Sequence, residues 1–408
     1  MATRRSFLIG VGSAALTAPA LLREARAAEA LTLDPQLPPG VQTEAVLEAL
    51  PGKAPLIKLS YRPPNYETPL HYFNEVFTPN EAFFVRYHLS DIPEVDPDAW
   101  RLAVGGEGAT TPFELTLDAL RRDFTPVEIA AVCQCSGNRR GLFDPHVAGV
   151  EWGYGAMGNA RWKGVRLKDI LDRAGIAKET VEIALEGADG PPLDTTPDFV
   201  KSIPIWKALD PDTLVAYEMN GRPLPHFNGA PARIVVPGWT ATYWMKHVTG
   251  ISARSTPEDN FWMKGAYRIP TGKFPIVQRF LSQETAANTP ITEMVVNSII
   301  TTPAAGDTIG MGSPLVVKGV AWDAGYGIVA VEVSTDEGQT WTRATLGPDT
   351  GRYSFRPWTF PIKTDRKGPL TLMAKATNAI GQTQTSTLIQ NPAGYHHNLM
   401  HRVSVTIA

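Results

Sequence analysis

The chain is 408 residues long, more than one ordinary domain accommodates, so at least two hydrophobic cores are expected. Hydrophobic residues make up 43% and charged residues 19%, which excludes a disordered or fibrous chain, and 35 prolines argue against long helices and coiled coils. The net charge of −3 leaves no basic excess for a nucleic acid recognised through its phosphates. Two cysteines, Cys133 and Cys135, are too few for a disulfide framework or a zinc ribbon.

Residues 1–28 read as an export signal: Arg4-Arg5-Ser6-Phe7-Leu8, an apolar run through Leu22, then Ala25-Arg26-Ala27 as a small-residue cleavage site. Only 17 residues separate Arg5 from Arg23, with Gly10, Gly12 and Pro19 among them. A spanning helix of about 20 residues fits that stretch poorly, so no membrane span is expected. The paired arginines point to the bacterial twin-arginine route and hence to the periplasm, with an ordinary secretory signal carrying two chance arginines as the plainer reading. That route is associated with cargo that folds, often around a cofactor, before leaving the cytoplasm. Cleavage removes four arginines and one glutamate and takes the net charge from −3 to −6.

Residues 29–65, rich in Pro and Gly, read as an N-terminal arm over the surface, with one helical candidate at 43–50. From 66 to 285 short helices at 116–123 and 166–174, the second closed by Gly175, mix with strand-like runs at 127–133 and 233–236, which gives an α+β domain. A polar stretch at 281–290 ends in proline and serves as the linker. Between 290 and 408 short strands are expected at 315–320, 328–334, 341–346, 370–376 and 383–388, with Asp336-Glu337-Gly338 as one of the turns. That spacing points to a β-sandwich.

Three segments carry chemistry. Cys133-Gln134-Cys135-Ser136-Gly137-Asn138-Arg139-Arg140-Gly141 runs a strand into a glycine-bearing turn and sets thiols beside guanidinium groups, which favour the thiolate that binds soft metals. Cys133, in the apolar part of the strand, reads as a small buried hydrophobe, and Cys135, at the turn, as the functional thiol. Phe83-Phe84-Val85-Arg86-Tyr87-His88 places Arg86 and His88 on one face, where they either meet an anion or form a solvated edge. The third runs from Gly229 through Arg233 to Trp239, with Trp244, Lys246 and His247 behind it. It suits a phosphate-bearing cofactor or, equally, a buried strand with a basic end. His396, His397 and His401 lack a neighbouring thiol or carboxylate and read as packing or surface residues.

The run Cys135-Ser136-Gly137-Asn138-Arg139-Arg140, followed by Val150-Glu151-Trp152, by Gly158-Asn159-Ala160-Arg161-Trp162-Lys163-Gly164-Val165 and by Ala216-Tyr217-Glu218-Met219-Asn220-Gly221-Arg222-Pro223-Leu224-Pro225, resembles the sulfite oxidase family of molybdenum enzymes. The resemblance continues through residues 233–238, Tyr267, 319–322 and 331–341, nearly the whole mature chain. The twin-arginine signal, the missing cytochrome b5-type haem domain and the His396-His397 pair are most similar to the catalytic subunits of bacterial periplasmic sulfite dehydrogenases. The resemblance implies a molybdopterin catalytic domain over 66–285, then an immunoglobulin-like β-sandwich of the family's dimerisation type over 290–408. It implies a molybdopterin cofactor whose molybdenum takes the Cys135 thiolate. It carries cofactor contacts to Phe84, Val85, Arg86, His88, Asp189, Asn228, Arg233, Trp244, Met245 and Lys246, and substrate contacts to Arg86, Arg140, Trp152 and Tyr267.

Two departures stand out. Asn228 occupies a position where vertebrate-type members carry histidine, which removes one charged partner from the cofactor phosphate. A further substrate arginine of the family aligns near Ala393, where this chain has none, with His396 or His397 as the nearest substitutes. The implied reaction is oxidation of sulfite to sulfate, with electrons leaving singly to a c-type cytochrome that is either a bound subunit, giving a heterodimer, or a separate acceptor of a homodimer. Another molybdenum reaction on the same scaffold, such as sulfoxide or nitrate reduction or oxidation of another sulfur oxyanion, is the first alternative. A periplasmic copper carrier using the C-x-C pair is the second, and an adhesive β-sandwich protein the third.

Overall fold

The computed structural model describes residues 29–33, 44–272 and 287–408. The export signal assigned to 1–28, part of the arm and most of the 281–290 linker lie outside them. What is described is mostly β with few helices. The helices Leu117–Asp123, Leu167–Ala174, Ile205–Ala208 and Phe261–Lys264 span eight residues at most. The first two are expected from sequence, and local chemistry ends them: the Thr116 hydroxyl accepts from the Ala119 amide, and Gly175 closes the second in a left-handed conformation. None of the helices is long and apolar enough to cross a membrane.

The arm differs from expectation. Its helical candidate is the strand Glu44–Glu48, in an antiparallel meander that runs Glu29–Thr32, Glu44–Glu48, Leu56–Ser60, Asn65–Glu67, Val85–Arg86. Pairing decides this. Ala45 is buried, and Glu48 binds both Lys58 and the Tyr66 hydroxyl at 2.6 Å, contacts that outweigh a weak helical preference. The arm therefore builds the sheet whose last strand carries Arg86 into the site.

Two further large sheets, with the short ladder of Arg268–Pro270 on Asn288–Pro290, form the rest of the N-terminal part. One orders Val200–Pro204, Glu182–Gly187, Val248–Arg254, Leu102–Gly105 and Phe113–Leu115, with a single parallel pair. The other is antiparallel, with Arg222–Pro223, Leu214–Met219, Met157–Arg166 and Pro126–Gln134, and with Arg233–Val235 also on Leu214–Met219. Their facing side chains share one large core that includes Trp100, Trp162, Ile183 and Ile251.

The C-terminal part is two packed sheets. Asn297–Thr302, Leu315–Trp322, Arg356–Ile362 and Thr345–Leu346 form one; Thr308–Ile309, His401–Ile407, Gly368–Asn378, Ile328–Ser334 and Thr342–Arg343 form the other. Val317, Ala321 and Trp358 from the first meet Val331, Leu372 and Val403 from the second. The expected strand at 341–346 divides into two short pieces that pair in different sheets. The expected strand at 383–388 forms only isolated bridges at Thr383 and Thr385, and the edge partner of Gly368–Asn378 is His401–Ile407.

The two parts meet over a common apolar cluster of Phe73, Val132, Met157, Met294, Ile299, Val320, Trp322 and Phe355. Trp322 Nε1 donates to Gln134 Oε1 at 2.7 Å, one residue before Cys135. Arg139, in the turn after Cys135, is buried with its guanidinium 4.8 Å from the Tyr154 ring and donating to Asn297 Oδ1 and the Leu399 carbonyl. The C-terminal sandwich thus supports the turn that follows Pro126–Gln134.

Candidate active site

Strand alternation sorts the Phe83–His88 segment. Phe84, Arg86 and His88 line a cleft, while Val85 and Tyr87 point the other way, into a small core with Leu56 and Tyr66. Val85, expected at the cofactor, therefore has its side chain away from the cleft. The same cleft is lined by Cys135, Asp189, Asn228, Arg233, Trp244, Met245, Lys246 and Tyr267, residues drawn from five separate stretches of chain.

Cys135 leaves the strand end with its amide donating to the Ala156 carbonyl at 2.9 Å and its carbonyl accepting from the Asn138 amide at 3.0 Å. It is a free thiol, as is Cys133. Cys133 also reaches the cleft wall, 3.9 Å from the Arg233 guanidinium, yet burial pushes its pKa up to about 11 in spite of that neighbour. Its reading as a buried hydrophobe fits this environment.

Arg140 and Trp152 stand behind the wall rather than in it. The Trp152 ring is fully buried, and its Nε1 has no hydrogen-bond partner among the described residues. Arg140 donates from Nε to the Ala393 carbonyl at 2.9 Å and from Nη1 to the Val150 carbonyl at 3.2 Å, with the Tyr395 ring 5.2 Å away. Close approach to glycine makes this cage: a Cβ on Gly137 would lie 2.6 Å from the guanidinium carbon, and one on Gly394 2.7 Å from Cγ. Neither His396 nor His397 lines the cleft. Tyr395 of that C-terminal loop does not line the cleft either but stacks on its Tyr267, ring centroids 5.9 Å apart, while His397 packs on Phe143.

Tyr267, held at φ 57°, hydrogen-bonds His88 Nε2 and the Arg86 guanidinium. Burial raises its pKa, so the phenol keeps its proton. His88 stacks on Phe199 with ring centroids 3.7 Å apart. Its imidazole is held well below the usual histidine range by burial first, then by Arg86, Lys246 and Lys201.

The cleft is also cationic. Arg233 donates to the Asn228 and Trp244 carbonyls, each at 3.0 Å, and lies over the Trp162 ring; Lys246 donates to the Arg86 carbonyl at 2.7 Å. Among the described residues none of Arg86, Arg140, Arg233 and Lys246 makes an ion pair. Burial takes the Lys246 pKa down to about 7, partly offset by Asp189. Buried cations without carboxylate partners are costly unless an anion arrives to compensate them. Ser136 Oγ, Thr242 Oγ1 and Arg233 Nε are also buried at this wall with no hydrogen-bond partner among the described residues. A phosphate-bearing group with a soft metal fits this set: buried cations, unmet donors and the Cys135 thiol on one cleft.

Comparison with known proteins agrees. Residues 88–262 match a family described as the oxidoreductase molybdopterin binding domain, and residues 288–408 match the Mo-co oxidoreductase dimerisation domain. The human mitochondrial sulfite oxidase is 35% identical over 395 residues, covering 93% of this chain and 71% of that protein. The chain belongs to the sulfite oxidase family of molybdenum enzymes. Chicken sulfite oxidase is 34% identical over 84% of this chain and 76% of its own length. The structure of the sulfane dehydrogenase SoxCD from Paracoccus pantotrophus superposes with a TM-score of 0.72 at 26% identity, over 86% of this chain and 88% of that one. Membership of the sulfite oxidase family assigns a molybdopterin cofactor with molybdenum to this chain.

Several side chains at or beside the cleft escape sequence reasoning. Ser136 and Thr242 lie inside motifs already singled out and were within reach. Lys53, Lys201 and Tyr395 come from distant segments with no local signature. Lys201 is buried, donates to the Trp262 carbonyl at 2.6 Å and lies 5.2 Å from the Tyr267 ring.

Proposed function

We propose that this chain is the catalytic subunit of a periplasmic sulfite dehydrogenase that oxidises sulfite to sulfate and delivers electrons to a c-type cytochrome. The observation that carries this reading is the convergence of the Cys135 thiol, the Arg86 guanidinium and the Tyr267 phenol on one cleft. Resemblance over almost the full chain to sulfite oxidases supports the substrate, and the twin-arginine motif supports the compartment. This sequence holds no haem-attachment motif to take the electrons, and we assign that part to a c-type cytochrome, as bound subunit or separate acceptor.

Cys135 would hold the molybdenum, with Asn228, Arg233, Trp244 and Lys246 around the pterin and its phosphate. When bound, that group supplies two-electron oxygen-atom transfer. Arg86 binds the substrate oxyanion and, through Asn65 Oδ1 at 3.2 Å, keeps a fixed direction. Arg140 adds positive charge from behind the wall. Tyr267 orients the anion through its hydroxyl, which a hydrogen bond with His88 Nε2 holds in place. Phe199, stacked on His88, excludes water from that pair.

One observation favours a second substrate class. The residue of the C-terminal loop that stacks on the cleft's Tyr267 is Tyr395 rather than a cation, and the likeness to a sulfane dehydrogenase extends over 86% of the chain. A larger or less charged sulfur compound is therefore the competing reading. Molybdenum-loaded protein assayed with sulfite and with a panel of other sulfur anions, against ferricytochrome c, separates the two. Rapid saturable turnover of sulfite is expected. Full molybdenum content with turnover only of another sulfur compound would sink sulfite and leave the cofactor assignment intact.

A further inference from the structure

Behind the cationic cleft lies a lysine that no motif contains. Lys53 follows Gly52 in the N-terminal segment and is only 8% exposed. Its ammonium spends all three protons: on the Asn80 carbonyl at 2.8 Å, the Phe83 carbonyl at 3.0 Å and Asn228 Oδ1 at 2.5 Å. It makes no ion pair among the described residues. Burial brings its pKa down to about 7. A buried ammonium without a carboxylate is destabilising, so its position calls for a compensating role.

That role is legible in the amide it holds. Lysine has only donors, so the Asn228 oxygen is committed to Lys53 and the amide nitrogen must face the other way. Asn228 Nδ2 donates to the Phe84 carbonyl at 3.2 Å, which leaves one N–H for the cleft that Asn228 lines. The Asn228 carbonyl simultaneously accepts from Arg233, so the same residue ties the lysine to the main cleft cation. We infer that Lys53 is a positioning residue for the molybdopterin phosphate: it fixes the Asn228 amide with its donor toward the cofactor. This rests on the reading of the cleft as the cofactor site.

The test is a double-mutant cycle on the exported, molybdenum-loaded chain. Molybdopterin retained during prolonged dialysis is the readout, with circular dichroism to follow the fold. Lys53→Met and Asn228→Ala are each expected to lose cofactor about 10-fold faster than wild type, the usual size of an outer-shell effect. The double variant should lose it no faster than Asn228→Ala, because the lysine acts through the amide. Lys53→Arg keeps a cationic donor for the Asn228 oxygen and should retain cofactor better than Lys53→Met, a rescue that a merely space-filling role would not give. Wild-type retention in Lys53→Met, no rescue in Lys53→Arg, or multiplied losses in the double variant, would overturn the inference. Should Lys53→Met not fold, Lys53→Gln, which keeps one neutral donor for the Asn228 oxygen, takes its place with the same expected direction. A wild-type chain that carries no molybdopterin would overturn the cofactor reading itself, and this inference with it.

Discussion

At Cys135 and Tyr267 single atoms decide the chemistry. Replacing the Cys135 thiol by serine exchanges a soft ligand for a hard one. Cys135→Ser is expected to abolish turnover with sulfite, whereas Tyr267→Phe, which removes one preorganised donor, should cost about 10²–10³-fold in kcat. Steady-state assays with an artificial one-electron acceptor, corrected for molybdenum content, compare the two; near-normal turnover in Cys135→Ser would refute the ligand assignment. Cys133 provides the contrast. Two residues away and on the same cleft, its thiol has its pKa pushed up to about 11 by burial. Its neutral form packs where Cys135 reacts.

The strand Pro126–Gln134 and the turn after it form the element that matters most. Its sequence dictates a strand breaking into a turn, but the aim of Arg140 comes from the glycine cage around it. Gly137 is not in a left-handed conformation, so Gly137→Ala adds a methyl group against the guanidinium without backbone strain. A misplacement of about 1 Å can cost about 10²-fold, and the expected outcome is a kcat/KM for sulfite lowered to that extent, with an unchanged circular dichroism spectrum. On the facing strand Asn65–Glu67, the buried Glu67 carboxyl accepts from the Gly153 amide at 2.7 Å and steadies the loop that carries Trp152. Burial raises its pKa to about 8, opposed by the Gly153 and Gly155 amides. The folded state thus holds a proton that the unfolded chain gives up near pH 4.5, and this contribution to stability is lost as pH rises through about 8. Glu67→Gln is expected to flatten that decline in a series of melting temperatures between pH 5 and 9.

Over the whole molecule, buried histidines set the acid limit. Burial lowers the pKa values of His88, His247, His396, His397 and His401, with His247 at about 3 and His396 at about 4. Unfolding lets each take up a proton near pH 6.5, so the stability they confer is full above that pH and falls as pH drops toward their folded values. Five such groups outnumber the opposing Glu67, and the melting temperature should fall steadily from pH 6.5 to 4.5. A flat profile over that range would show that these histidines are solvated. Three of the five lie on the C-terminal loop and the strand His401–Ile407, near the domain contact, where His397 and His401 feel Arg139. Acid should therefore loosen the contact between the two parts early.

Resemblance in short motifs was enough to name the family and the cofactor and to single out Cys135 and most of the cleft-lining residues, because a motif keeps its residues together wherever the chain folds. Phe84, Arg86 and His88 needed only the two-residue period to be placed on one face. Helix ends at Thr116 and Gly175 were legible for the same reason, since a cap is a local hydrogen bond. Tertiary structure alone decided the rest. The segment at 43–50 became a strand because Glu44–Glu48 found partners in Leu56–Ser60 that its own composition does not reveal. Arg140 and Trp152 fell outside the cleft lining, Tyr395 rather than His396 or His397 stacked on Tyr267, and Lys53 reached Asn228 from 175 positions away. Those contacts depend on which buried donor meets which acceptor once distant strands have packed, and burial rather than sequence spacing selects them.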